Sequence, residues 1–141
     1  MACMLRISGD DFDVDSFIAV SEWHGLSSLR VYRKGEYVNE LKKKVHNDYG
    51  FSICVSDDGY RDFERMQADA IAFLKKYTKS FQLLTQYKIE NWHCLDFGLD
   101  TYPSNNFSKT YILSNELMRL AGEAGIDVWM SNYLTNEKSE E

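Results

Sequence analysis

Residues 61–87, RDFERMQADAIAFLKKYTKSFQLLTQY, decide how the rest of the chain must fold. Apolar side chains at Phe63, Met66, Ala70, Leu74, Tyr77, Phe81 and Leu84 recur at alternating steps of three and four. That spacing lays them along one stripe of a helix. Weaker helix formers at Tyr77-Thr78-Lys79-Ser80 predict a break, with Thr78 capping a second segment over Lys79–Gln86. A stripe this long has to be covered, and the flanking segments read as the strands that cover it.

Before it, Met4–Ile7 is a short apolar run that ends at Ser8-Gly9 and reads as a first strand. A helix follows, with Asp13 as N-cap and Asp15 in the first turn, where a carboxylate meets the positive end of the helix dipole. Phe12 and Phe17 are spaced for a hydrophobic staple across that start. The helix turns Phe17, Ile18 and Trp23 inward and stops at Gly25. Leu29–Tyr32 is the second strand, Arg33-Lys34-Gly35-Glu36 a turn, and Asn39–Gly50, with Lys42, Lys43 and Lys44 in a row, an exposed loop or irregular hairpin tip. Phe51–Val55 is the third strand, with Phe51, Ile53 and Val55 on one face, and Ser56-Asp57-Asp58-Gly59 supplies caps for the long helix.

After it, Ile89–Leu99 reads as the fourth strand, with Leu95, Phe97 and Leu99 on one face and Cys94, Asp96 and Gly98 on the other. Thr101–Lys109 is a loop. Ser114 caps a helix over Asn115–Ala124 that ends at Gly125, and Ile126–Leu134 is the last strand. The fold expected is α/β of the α+β kind. Helices cover one face of a mainly antiparallel sheet in the ferredoxin-like βαββαβ order, and a C-terminal αβ unit adds an edge strand. Residues 1–134 form a single domain, and 135–141 are expected to be a disordered acidic tail.

Composition narrows the function. The 141 residues carry a formal net charge of −6, which disfavours a nucleic-acid partner. No stretch approaches the ~20 apolar residues needed to span a bilayer, and the opening residues do not read as a signal peptide, so a cytoplasmic protein is expected. Cys3, Cys54 and Cys94 are odd in number and widely spaced, as in reduced, partly buried thiols.

The candidates for chemistry are weak. Asp11, Asp13, Asp15 and Glu22 fall on positions 1, 3, 5 and 12 of a calcium loop, but Ser16 stands where that loop needs glycine and the preceding segment is a strand. His24, His46 and His93 lack partners at metal-binding spacing. Cys94 lies beside Asp96 on one strand face, which opposes thiolate formation. No glycine-rich phosphate loop is present. No catalytic residue, cofactor or metal is therefore expected. An enzyme using His93 or His24 with nearby carboxylates is a minor rival. The sheet face opposite the helices is different, because it would carry Arg30, Tyr32, Trp92, Asp96, Trp129 and Tyr133. Large aromatics beside charges are typical of an interface, either with another protein or with a second copy of this chain.

Asp69–Leu74 (DAIAFL), Leu95–Leu99 (LDFGL) and Leu117–Ile126 (LMRLAGEAGI), with the opening LRISGDDFDVDSF and the YRKGE turn, resemble segments of a family of small bacterial proteins without an assigned activity. Some of those are similar to immunity proteins of toxin systems. The resemblance brings no catalytic residues with it. It implies a non-enzymatic protein that binds and neutralises a toxin domain. Asp57, Asp58, Asp96 and Asp100 would steer a basic partner, and Trp92, Trp129 and Tyr133 would hold it. The alternative is a small-molecule or peptide-binding module that uses the same sheet face.

Overall fold

Strand β1 (Ala2–Gly9) is hydrogen-bonded on both edges and sits at the middle of the main sheet. The computed structural model describes residues 2–39, 41, 43–57, 62–101 and 110–134, without the side chains of 100, 101, 133 and 134. Among these residues there are four helices, a five-stranded sheet and a two-stranded ribbon, an α+β arrangement. The elements follow β1, α1 (Val14–Val20), β2 (Arg30–Tyr32), β3 (Tyr37–Asn39), β4 (Lys44–Val45), β5 (Tyr49–Asp57), α2 (Phe63–Lys76), α3 (Thr78–Leu84), β6 (Trp92–Thr101), α4 (Asn115–Glu123) and β7 (Asp127–Leu134). The sheet order is β2-β5-β1-β6-β7, antiparallel except for the parallel pair β6–β7. The last αβ unit thus adds an edge strand beside β6, as its sequence predicts.

Alternation on β1 sorts the two faces. Cys3, Leu5 and Ile7 are fully buried, and Leu5 stands in register between Ile53 and Leu95. These residues, with Phe51, Phe97 and Leu99, meet the helical stripe Phe63, Met66, Ala70, Leu74, Phe81 and Leu84 in one core. The predicted third strand needs one correction. The register of β1 against β5 shifts between Cys3 and Met4, so Val55 has no partner on β1 and is only half-buried against the edge of the core. Ser56 takes the inner position instead and donates its hydroxyl to the Asp69 carboxylate on α2 at 2.7 Å.

The helix ends also differ from expectation. The N-cap of α2 is Asp62, whose carboxylate accepts the Arg65 N–H, whereas Ser56 and Asp57 of the expected cap stretch belong to β5 and residues 58 and 59 lie outside the described residues. The break is real and falls at Tyr77 (φ −109°, ψ 33°). Thr78 does not cap α3: its hydroxyl donates to the Lys75 carbonyl and closes the end of α2, and α3 starts without a side-chain cap. In α1 the cap is Asp13, as expected, accepting from the Ser16 N–H at 3.2 Å. The staple partners Phe12 and Phe17 have ring centroids 6.0 Å apart. The helix ends earlier than predicted, at Ser21, which bonds back to the Ile18 carbonyl and lets Trp23 turn inward.

Trp23 is the hub of the core. It stacks on Phe73 (5.8 Å, 13°) and meets Phe81 and Tyr77 edge-on at 5.2 and 5.7 Å. Such ring pairs contribute about 0.5–1.5 kcal/mol each beyond area burial. Its Nε1–H finds no acceptor among the described residues, a cost of about 1–3 kcal/mol that the aromatic contacts have to offset.

Two glycines give a stability test. A methyl at Gly50 would lie 2.4 Å from the Ile7 carbonyl oxygen and 2.5 Å from the Tyr32 phenol oxygen. Gly50→Ala is therefore expected to lose at least about 2 kcal/mol, read as a lower urea midpoint. A methyl at Gly122, in α4, meets nothing within 4 Å. Gly122→Ala should be neutral or stabilising by up to about 1 kcal/mol.

Candidate binding face

The sheet face turned away from the core carries Met4, Arg6 and Ser8 of β1, Trp92, Cys94 and Asp96 of β6, and Trp129 and Ser131 of β7. Period-two alternation puts them there, because each sits between inward-facing residues. Trp92 and Trp129 are the large apolar groups, 43% and 36% exposed, with ring centroids 5.4 Å apart at 59°. The Arg6 guanidinium lies 5.9 Å from the Trp92 ring centroid.

Asp96 is corrected from a steering charge to an internal tie. It is only 7% exposed. Ser131 donates to its Oδ1 at 2.5 Å and the Arg6 Nε donates to its Oδ2 at 3.3 Å. The carboxylate thus holds three strands, β1, β6 and β7, through side chains, and it fixes the direction of Arg6. Burying a carboxylate is tolerable only with such partners.

The other expected site residues divide. Asp57 is exposed, but it pairs with Ala2 at the far end of β1 from Trp92, which pairs with Ser8. Asp100 and Tyr133 are register partners on β6 and β7, and their side chains lie outside the described structure. Asp58 lies outside the described residues altogether, as do Lys42 and the expected tail 135–141. Among the expected residues with described side chains, Trp92, Asp96 and Trp129 are brought together.

Sequence reading missed the second wall of this face. The β3–β4 ribbon stands beside it and closes a cleft of about 410 Å³. The His46 ring stacks on Tyr32 at 4.1 Å and 15°, which joins ribbon to sheet. Tyr32 in turn lies across Gly50, and the Ser8 hydroxyl stands close enough to favour its ionised form. Burial pushes the Tyr32 phenol up, and the Asp48 carboxylate acts the same way against the opposing pull of Ser8 and Arg6, so the phenol keeps its proton. At the other end, the Asn91 amide donates to both Asp10 (2.9 Å) and Asp48 (3.0 Å). The one hint in the sequence was Arg6, a cation inside the apolar run MLRI.

The rival chemistries find their residues occupied. Asp13 is a helix cap, Asp15 makes a two-bond pair with Arg33 (2.9 and 2.5 Å), and Glu22 accepts from Ser80. Arg33 holds the Asp15 carboxyl below its usual value. No cluster of three or more metal-ligating side chains occurs among the described residues. The His93 Nδ1–H donates to the Ile89 carbonyl at 3.0 Å, and Nε2 is 3.5 Å from Asp127, so the ring ties the start of β6 to β7. Burial pushes the Cys94 thiol up to about 12, with Asp96 adding to it, and raises Cys3 further. Neither is a nucleophile at neutral pH.

Comparison of the chain with protein-family models, with curated protein sequences and with solved structures finds no match.

The thiols give two measurable outcomes. Buried Cys3 and Cys94 should label with a disulfide reagent only after denaturation, while half-buried Cys54 labels slowly in the native protein. Their raised values also set a pH dependence. The folded chain retains thiol protons that the unfolded chain releases from about pH 9 upward. This stabilisation is therefore complete below about pH 9, declines as the unfolded thiols ionise, and is gone once pH has risen through the folded values. The urea midpoint should fall between pH 8 and pH 10.5, and Cys94→Ala should make that fall shallower.

Proposed function

We propose that this chain is a non-enzymatic binding protein of the immunity type, which holds a basic toxin domain against the sheet face that no described helix covers. The observation that carries the reading is the Trp92–Trp129 pair, two half-exposed indoles side by side on rigid strands. Exposed aromatics fixed in this way lose little entropy on binding, and Trp is over-represented among residues that dominate interface energy. The net charge of −6 supports a basic partner and attraction at long range. Asp57 is the exposed acid that remains from the steering set on the described side chains of that sheet. Asp96 contributes indirectly, by keeping Arg6 beside Trp92.

The test is protection and affinity with a toxin domain encoded beside this gene. The chain should protect cells from that domain and bind it with an on-rate that falls as salt rises. Trp92→Ala with Trp129→Ala should weaken binding at least about 100-fold, with the circular dichroism spectrum and urea midpoint nearly unchanged. Unimpaired killing by the toxin domain in the presence of this chain would overturn the reading. So would full-strength binding by the double variant.

A further inference from the structure

The cleft between the β3–β4 ribbon and the sheet has two poles of opposite charge, and no ligand has been assigned to it. At one pole is Arg6. Its Nε is held by the buried Asp96, and its two Nη nitrogens have no hydrogen bond among the described residues. A guanidinium fixed at one nitrogen, with its fork left open, is pre-oriented for a planar carboxylate. Lys44, on the ribbon, adds a second cation to the lining. At the other pole, Asp10 and Asp48 are drawn together because a single amide nitrogen, Asn91 Nδ2, donates to one oxygen of each. Their remaining oxygens accept no bond among the described residues. Two carboxylates so placed repel each other, and a cation between them relieves the repulsion. The walls are the Trp92 ring, with Tyr32 held flat by His46.

We propose that this cleft binds a small zwitterion of the basic amino-acid type, with its carboxylate on Arg6 and its side-chain cation between Asp10 and Asp48. Spacing selects this class over a simple α-amino acid. Arg6 is drawn toward Asp96, which pairs with Met4, whereas Asp10 is held by Asn91, whose own N–H donates to the Ser8 carbonyl, so the two poles are pulled in opposite directions along β1. The poles are thus farther apart than an α-amine and its own carboxylate. A cation at the end of an aliphatic side chain spans them, and the methylenes lie against Trp92 and Tyr32. A volume of about 410 Å³ accommodates a molecule of this size. An anion alone would leave the acidic pair uncompensated, and a diamine would leave the Arg6 fork empty. The inference does not rest on a protein partner, although Arg6 and Trp92 also belong to the proposed binding face.

The experiment is titration of the purified chain with L-lysine and L-arginine, followed by calorimetry and by tryptophan fluorescence. Agmatine, which lacks the carboxylate, and pentanoate, which lacks the cation, are the controls. Saturable binding of at least one basic amino acid is expected, with each control at least about 10-fold weaker. Arg6→Lys keeps a cation beside Asp96 but loses the fork, and Asp48→Asn keeps an acceptor for Asn91 but loses the charge. Each should weaken binding about 10-fold or more while the urea midpoint stays near that of the parent chain. Absence of saturable binding by both amino acids overturns the proposal. So does agmatine or pentanoate binding as tightly as the zwitterion, or undiminished binding by both variants.

Discussion

The packing of Trp23 against the broken helix is the constraint on which the rest of the structure depends. A straight helix from Phe63 to Leu84 would carry Phe73 and Phe81 eight residues apart along one axis. The break at Tyr77 re-aims α3, so that both rings, and Tyr77 itself, close on the same indole. Phe17 and Phe51 reach it from the first helix and the sheet. One residue therefore joins α1, α2, α3 and β5. The unbonded Nε1–H is the local cost of placing an indole where only rings surround it.

That one-sided core has a consequence for the opposite sheet face. With the helices committed to the inner side, residues on the outer side must stabilise one another. They do so through a polar tie, Arg6–Asp96–Ser131, and a ring pair, Trp92–Trp129. Cys94 and Asp96 are buried even though no described helix covers them. Arg6 stands opposite Cys94 in the register, and Trp129 stands opposite Asp96, so large side chains shield the small ones. The binding face is a thin second layer with its own internal order, and this order gives Arg6 and the two indoles fixed directions.

Much of the architecture was legible in residue patterns because each pattern has one cheap solution. The three-and-four stripe of the long helix is buried as read, except that Tyr77, at the break, is only half-buried. Period-two alternation correctly separated Leu95, Phe97 and Leu99 from Cys94 and Asp96. Failures came where a neighbour supplied the missing information. Val55 fits a fully buried inner position by alternation, and only the irregular register against β1 leaves it unpaired and half-buried at the core's edge. Thr78 has the chemistry of an N-cap, yet its hydroxyl is taken by the turn behind it. Asp96 has the composition of a surface charge, and only the proximity of Arg6 and Ser131 allows it to be buried.

The sequence by itself determined most of the residues that face the core, where the long helix breaks, that the final αβ unit supplies an edge strand, and that Trp92 and Trp129 share the outer face. These are local properties, set by backbone periodicity and by the conformations that caps and glycines allow. The tertiary structure alone decided that Asp10, Asp48 and Asn91 meet across 81 and 43 residues of chain. It also decided that Arg6 is held by Asp96 across 90 residues, and that the ribbon stands beside Tyr32 to make a cleft. Contacts between charged and polar groups so far apart have no periodic signature, because their geometry depends on how strands are ordered in the sheet and not on the residues beside them.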